Sequence, residues 1–193
     1  MAVDIIYETH ATTTDNEAGI STGWLPGHLS AQGRDEAREL GERRGGQDIA
    51  AVFSSDLYRS VETAQIAFPD GRPPIHQDTR LRECNYGRLN GQPSPLVAVR
   101  RTRHIDVPFP GGQSYRQVLA ATDAFLQYLA RHWDGRRILL IGHTANQWAL
   151  DCLLAGASLQ DLLAAPFTWQ PGWSYTLPSD WGSRPGEPCR SQL

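Results

Sequence analysis

The stretch Arg136-Arg-Ile-Leu-Leu-Ile-Gly-His143 constrains this chain more than any other. Ile138 to Ile141 are four apolar residues in a row, without the alternation of a half-exposed strand, and Gly142-His143 closes the run. Such a run suits a strand covered on both faces, as in a parallel sheet with helices on either side. Asp4-Ile-Ile-Tyr-Glu-Thr-His10 has the same form, apolar first and ending in a histidine, so strand one spans roughly 3 to 9. "DIAAVFSSD" (48–56) reads as a further buried strand that ends in polar residues. Helical patterns separate these runs. Ser30 caps a helix to about Arg44, whose last arginines suit the negative helix end. "LYRSVETAQIAF" carries Arg59 in its first turn, Ser114 caps the longest helix to near Trp133, and a helix from about Ala145 to Leu154 follows the histidine. Alternating strands and helices predict an α/β fold, a three-layer αβα sandwich on a mainly parallel central sheet. In such a sheet the strands' carboxyl ends share one edge, so His10, Arg59 and His143 are expected to converge.

The 193 residues suit one domain with a real core. The expected unit is 1–177, with an insertion or lid at about 85–112 that shows no clear period, a last strand "SYTL", and a loosely held tail at 178–193. A net charge of -3 argues against a nucleic-acid or membrane-surface partner. The basic run Arg100-Arg-Thr-Arg-His104 reads first as a solvated face, with anion capture as the rarer alternative. Cys84, Cys152 and Cys189 have neither disulfide-framework nor zinc spacing, and no stretch approaches the ~18 apolar residues of a membrane span. The expectation is a reduced, cytoplasmic protein with a small-molecule substrate, no metal and no cofactor; nothing in the sequence indicates an oligomeric state.

Five segments, in order, resemble the histidine phosphatase superfamily, the phosphoglycerate-mutase-like fold. They are Thr9-His10-Ala-Thr-Thr-Thr-Asp-Asn16, "GWLPGHLSAQG" (23–33), "SSDLYRSVETA" (54–64), "LRECNYGRLNG" (81–91) and "IGHTAN" (141–146), with "PGGQSY" (110–115) before the long helix as further support. The resemblance spans about residues 3–177 and implies a metal-independent phosphomonoester hydrolase. His10 would attack phosphorus, Arg59 and His143 would hold the phosphoryl oxygens, and Glu83 would serve as acid and then base. Thr13, Asn16, Thr22 and Thr144 are candidates for neutral hydrogen bonds to substrate, and Arg82 and Tyr86 for further substrate contacts.

The chain departs from the family pattern at its first block. Thr9 stands where the resemblance puts a phosphate-binding arginine, and Glu8 stands where an apolar residue is usual. Residues two apart on a strand share a face, which would turn Glu8 toward His10. Three readings follow. Another cation replaces the arginine, from Arg82, Arg88 or the 100–104 run, and phosphate chemistry survives. Alternatively the scaffold runs acid–base chemistry (lyase, isomerase or hydrolase) with Glu8, His10 and Glu83, or has become a regulatory homologue without catalysis. A phosphoglycerate mutase is not expected, because a cation-poor pocket holds a bisphosphate badly.

Overall fold

The computed structural model describes residues 1–182. In chain order the elements are β1 (Ala2–Thr9), α1 (Thr14–Glu17), β2 (Ile20–Ser21), α2 (Ala31–Arg44), β3 (Ala51–Ser54), α3 (Tyr58–Ala67), β4 (Ile75–Gln77), β5 (Gln92–Pro93), α4 (Ser94–Ala98), α5 (Tyr115–His132), β6 (Arg137–Gly142), α6 (Thr144–Ala155), α7 (Leu159–Ala164) and β7 (Trp173–Pro178). The main sheet has the order β4-β3-β6-β1-β7. β1, β3, β4 and β6 run parallel, and β7 pairs antiparallel along the outer edge of β1. The α/β sandwich read from the sequence is the fold.

β6 sits between β1 and β3, and its side chains split between two cores. Ile138 and Leu140 join Val3, Ile5, Tyr7 and Phe53 under α5 and α6. Leu139 and Ile141 join Val52, Leu40 and Ala64 under α2 and α3. All four β6 residues are fully buried, each contributing about 1.5–3 kcal/mol of hydrophobic stabilisation. This two-sided burial is why the run shows no alternation.

The 85–112 segment, aperiodic in sequence, is built of short pieces. Two 3₁₀ turns (Gly87–Leu89 and Arg101–His104), β5 and α4 lie within it, and β5 pairs with β2. Val97 and Phe109 pack it against Tyr115 and Trp148 in a third apolar cluster. At the other end of the chain β7 runs to Pro178, and Trp181 packs on the main core and donates to Asp123 through Nε1 at 2.9 Å. The remainder of the proposed tail, 183–193, with Cys189, lies outside the described residues.

The loop after β1 is held on both sides. Ser30 caps α2 by accepting from Gly33 N at 3.1 Å, and Glu36 of α2 accepts from both Thr12 N–H (2.9 Å) and Thr12 O–H (3.1 Å). From the opposite side Thr63 of α3 accepts from Ala11 N at 3.1 Å. Gly33 lies so close that a methyl group there would overlap the Thr12 carbonyl. Alanine normally gains about 1 kcal/mol over glycine in a helix. Here Gly33→Ala is expected to lose about 1–3 kcal/mol through overpacking, read as a lower urea midpoint; a raised midpoint would show that α2 is not seated on this loop.

Candidate active site

His10 follows β1 directly, and its N–H bonds Gly142 O at 2.9 Å, so the end of β1 stays in register with the end of β6. His143 is the N-cap residue of α6, one position beyond β6. Ser55 N bonds Ile141 O at 3.1 Å, which brings the start of α3, with Arg59 and Ser60, alongside. Three parallel strands thus deliver two imidazoles and a guanidinium to one edge. The rings of His10 and His143 are 5.0 Å apart.

His10 Nδ1 lies 2.8 Å from Ala11 O. A carbonyl only accepts, so Nδ1 carries the proton and Nε2 carries the lone pair. That lone pair faces Arg59, whose Nε donates to it at 3.2 Å. Burial, then the Arg59 charge, push the His10 pKa down to about 3. The imidazole is therefore neutral at any ordinary pH.

Arg59 is 2% exposed. Its Nη2 donates to Gly23 O at 2.8 Å, while Nη1 is buried without a hydrogen-bond partner in the protein. Gly23 takes φ +57, and a side chain there would collide with Asn90, so only glycine brings this carbonyl to the arginine. His143 is also held from several directions. Its carbonyl accepts from Tyr7 O–H at 2.5 Å, its N–H donates to Asn146 Oδ1 at 3.1 Å, and Nε2 lies 3.2 Å from Ser60 Oγ. Its Nδ1 is buried and has no partner in the protein. Burial, Arg59 and His10 all lower its pKa, keeping the second ring neutral too.

Glu83 is 9% exposed. Burial raises its pKa, opposed by the Cys84 N–H, by the charges of Arg59 and Arg101, and by the Ala145 N–H in the first turn of α6. The Cys84 bond is 2.7 Å. A carboxyl that stays protonated above the ordinary range suits a general acid. Trp24 Nε1 donates to Glu83 O at 2.6 Å, so the Gly23-Trp24 step fixes Arg59 and Glu83 together.

His10, Arg59, Glu83 and His143 are thus gathered at one place. Glu8 is not with them, which corrects the reading of it as a catalytic partner of His10. Its buried carboxylate accepts from Arg44 Nε (2.9 Å) and Nη2 (2.7 Å), with Arg43 Nη2 at 3.4 Å. The same-face argument holds only while the strand is regular, and β1 ends at Thr9. Below that point the even-numbered residues face α2, where two arginines wait. Thr9 is half-buried and Thr144 opens α6; neither side chain has a hydrogen bond among the described residues. Thr13 caps α1 through Asn16 N at 3.0 Å and bonds Asn16 Oδ1 at 2.9 Å, so the two are engaged with each other. Thr22 donates to Asp15 at 2.7 Å. Arg82 is held by Asp56 at 2.7 and 2.5 Å and lies over Trp24 at 4.6 Å, and is therefore not a free cation for substrate. Tyr86 is buried against Phe109, 5.3 Å between rings, with burial and then the Glu83 charge raising its pKa.

Sequence reasoning passed over Ser60, Trp24, Tyr7 and Asn146 as supports of the site. Ser60 and Asn146 were findable by position: one follows Arg59 in the same first turn, the other stands at the third helical residue after His143. Among the described residues no group of three or more His, Cys, Asp or Glu is arranged to hold a metal, and no helix is long and apolar enough to cross a membrane.

Comparison with known proteins identifies the family. The histidine phosphatase superfamily (branch 1) profile matches residues 9–171. The chain belongs to that superfamily. It is 28% identical over 167 residues to phosphoserine phosphatase 1 of Hydrogenobacter thermophilus, covering 81% of this chain and 78% of that one. It is 36% identical over 202 residues to a 2,3-bisphosphoglycerate-dependent phosphoglycerate mutase of Staphylococcus haemolyticus, covering 82% and 87%. Among solved structures, Bacillus stearothermophilus YhfR superposes with a TM-score of 0.79 at 24% identity, covering 88% of each chain.

The Glu8 ion pair is structural on this geometry. Arg44→Ala should cost about 3 kcal/mol by leaving a buried carboxylate short of its main partner. Any turnover per folded molecule should stay within about twofold, since Arg44 touches none of the four site residues; chemical denaturation beside a turnover assay checks both. A stable variant with lost turnover would return Glu8 to the site.

Proposed function

We propose that this protein is a phosphomonoester hydrolase that works through a phosphohistidine on His10. The observation that carries this reading is the lone pair of His10 Nε2 held 3.2 Å from Arg59 Nε, beside an arginine nitrogen and a histidine nitrogen that have no protein partner. Buried donors without partners mark where a ligand's acceptors belong, and a transferring phosphoryl group supplies such acceptors. A relative named as a phosphoserine phosphatase supports the same class.

In the first step Nε2 of His10 attacks phosphorus, and the bond from phosphorus to the ester oxygen breaks. Glu83 gives its proton to the leaving oxygen, producing a free alcohol and phospho-His10. In the second step a water oxygen attacks phosphorus, the phosphorus–Nε2 bond breaks, and the Glu83 carboxylate takes the water proton. Inorganic phosphate leaves, and Glu83 is again protonated. Arg59 turns its N–H groups from His10 to the phosphoryl oxygens. Ser60 O–H donating to His143 Nε2 leaves the His143 proton on Nδ1, where it meets another oxygen. The acid–base alternative loses its distinguishing base, because Glu8 is bound by α2.

A panel of phosphate esters assayed for phosphate release should show turnover that His10→Asn abolishes, with a phosphoryl adduct on His10 detected by mass spectrometry during turnover. No release from any ester by folded protein, or release that survives His10→Asn, would sink the reading. The pH dependence follows from the two shifted groups. His10, with its pKa near 3, stays unprotonated throughout and sets no limb above that pH. Glu83 must be protonated in the first step and its pKa is raised, so kcat/KM should fall as pH rises through that pKa. The fall should occur for alkyl esters and disappear for esters with a strongly acidic leaving phenol, once substrate ionisation is allowed for. Glu83→Gln should abolish the limb; an unchanged limb in that variant would assign it to another group.

A further inference from the structure

Glu83 lies outside every helix and strand, so its place depends on what grips the loop around it. Asn146, fully buried in the first turn of α6, is one such grip. Its Nδ2 donates at 3.2 Å to Arg82 O, the carbonyl of the peptide that leads into Glu83. Its Oδ1 accepts from His143 N–H at 3.1 Å. The two partners fix the amide's orientation, because the carbonyl needs the NH₂ end and the N–H needs the oxygen end. A buried amide is costly unless both ends are bonded, and here both are. One side chain thus ties the backbone of the second histidine to the backbone that carries the acid.

The surroundings make room for that tie and stiffen it. A methyl group at Gly142 would lie 2.9 Å from Asn146 Oδ1, so the glycine that ends β6 leaves the space the amide occupies. Arg82 is gripped at its other end by Asp56, at 2.7 and 2.5 Å, in the turn that leads into α3 and Arg59. On the far side of Glu83, Trp24 Nε1 donates to Glu83 O at 2.6 Å. Both peptides flanking the acid are therefore pinned, and Asn146 is the pin that reaches His143. The same turn of α6 offers the Ala145 N–H to the Glu83 carboxylate. A slip of the loop against α6 would change the carboxyl's surroundings as well as its place.

We propose that Asn146 is a positioning residue for the general acid, holding the Arg82–Glu83 peptide against the first turn of α6 so that the Glu83 proton meets the ester oxygen. The inference rests on the role given to Glu83 in the phosphomonoesterase reading. Asn146 touches no reacting atom, so its loss should be felt in proton delivery and not in attack by His10.

The test is kcat/KM, which reports the first phosphoryl transfer, on two monoesters. One has an alkyl alcohol that needs a proton to leave, the other a strongly acidic phenol that does not. Asn146→Leu keeps the volume and removes both bonds; Asn146→Ser stays neutral and polar but is too short to reach Arg82 O. Each is made alone and on a Glu83→Gln background, with thermal midpoints recorded, and the Glu83 carboxyl is titrated by carbon NMR without substrate. Should Asn146→Leu fail to fold, Asn146→Ser carries the same measurements. Either variant should lose about 10²-fold on the alkyl ester and less than about threefold on the phenol ester. Beside Glu83→Gln the further loss on the alkyl ester should be under about threefold, because the group being positioned has gone. The carboxyl should titrate at higher pH than in wild type as the Ala145 N–H draws away. The groups whose charges act with it, Arg59, Arg101, Tyr7, Cys84, Tyr86 and Tyr115, are left unaltered. An equal loss on both esters would assign Asn146 to His143 or to the fold alone and overturn the proposal. Wild-type rates on both, or a loss that persists in full beside Glu83→Gln, would overturn it too. If wild type hydrolyses neither ester, the hydrolase reading falls and the titration decides alone: an unmoved carboxyl in a folded variant overturns the positioning role, and a raised one upholds it.

Discussion

Everything in this molecule depends on β6 being hydrogen-bonded along both edges and buried on both faces. Its pairing with β1 on one side and β3 on the other is what sets His10, His143 and Arg59 next to one another. No side chain in the site chooses its neighbours independently; the ladder chooses for them. A one-residue slip in β6 would exchange the two apolar cores and turn His143 away from His10. The long, unbroken apolar run is therefore as much a condition of the chemistry as the histidines are.

The site is arranged around keeping charge scarce. Both imidazoles are neutral, burial raises the Glu83 pKa, and Arg82 is neutralised by Asp56. In a buried setting each unpaired charge carries a large desolvation cost, and the fold leaves that condition to Arg59, with 2% exposure and Nη1 without a partner. Negative charge belonging to a ligand would relieve it. The same logic, applied to Glu8, gives the opposite result, since two arginines of α2 already satisfy that carboxylate and leave nothing for a substrate.

The sheet and the helix starts were legible because the signals are local: apolar runs, Ser30 and Ser114 as caps, arginines closing α2. That His10, Arg59 and His143 would meet was legible from strand-end position, whereas Glu83 was marked only by resemblance to a known segment. Glu8 was misread because strand alternation says which face a residue lies on, but not what waits on that face. The partner is Arg44, 36 positions away on a helix whose end is fixed by packing. The 85–112 segment was opaque for a related reason. Its short turns have no period and are held by long-range contacts such as Phe109 on Tyr86 and Arg88 N–H on Pro110 O.

The bond from Arg59 Nε to His10 Nε2 has a consequence for the resting protein. The electron pair that would attack phosphorus is occupied by a donor until a ligand draws that donor away. An electrophile with no anionic oxygens gives Arg59 nothing to turn toward, and meets a nucleophile that is capped. The arginine would thus work as a chemical safety catch, guarding the ring nitrogen from alkylation and acylation. Selectivity on this view begins before recognition of the alcohol, at the moment the guanidinium finds a better acceptor than the ring it covers.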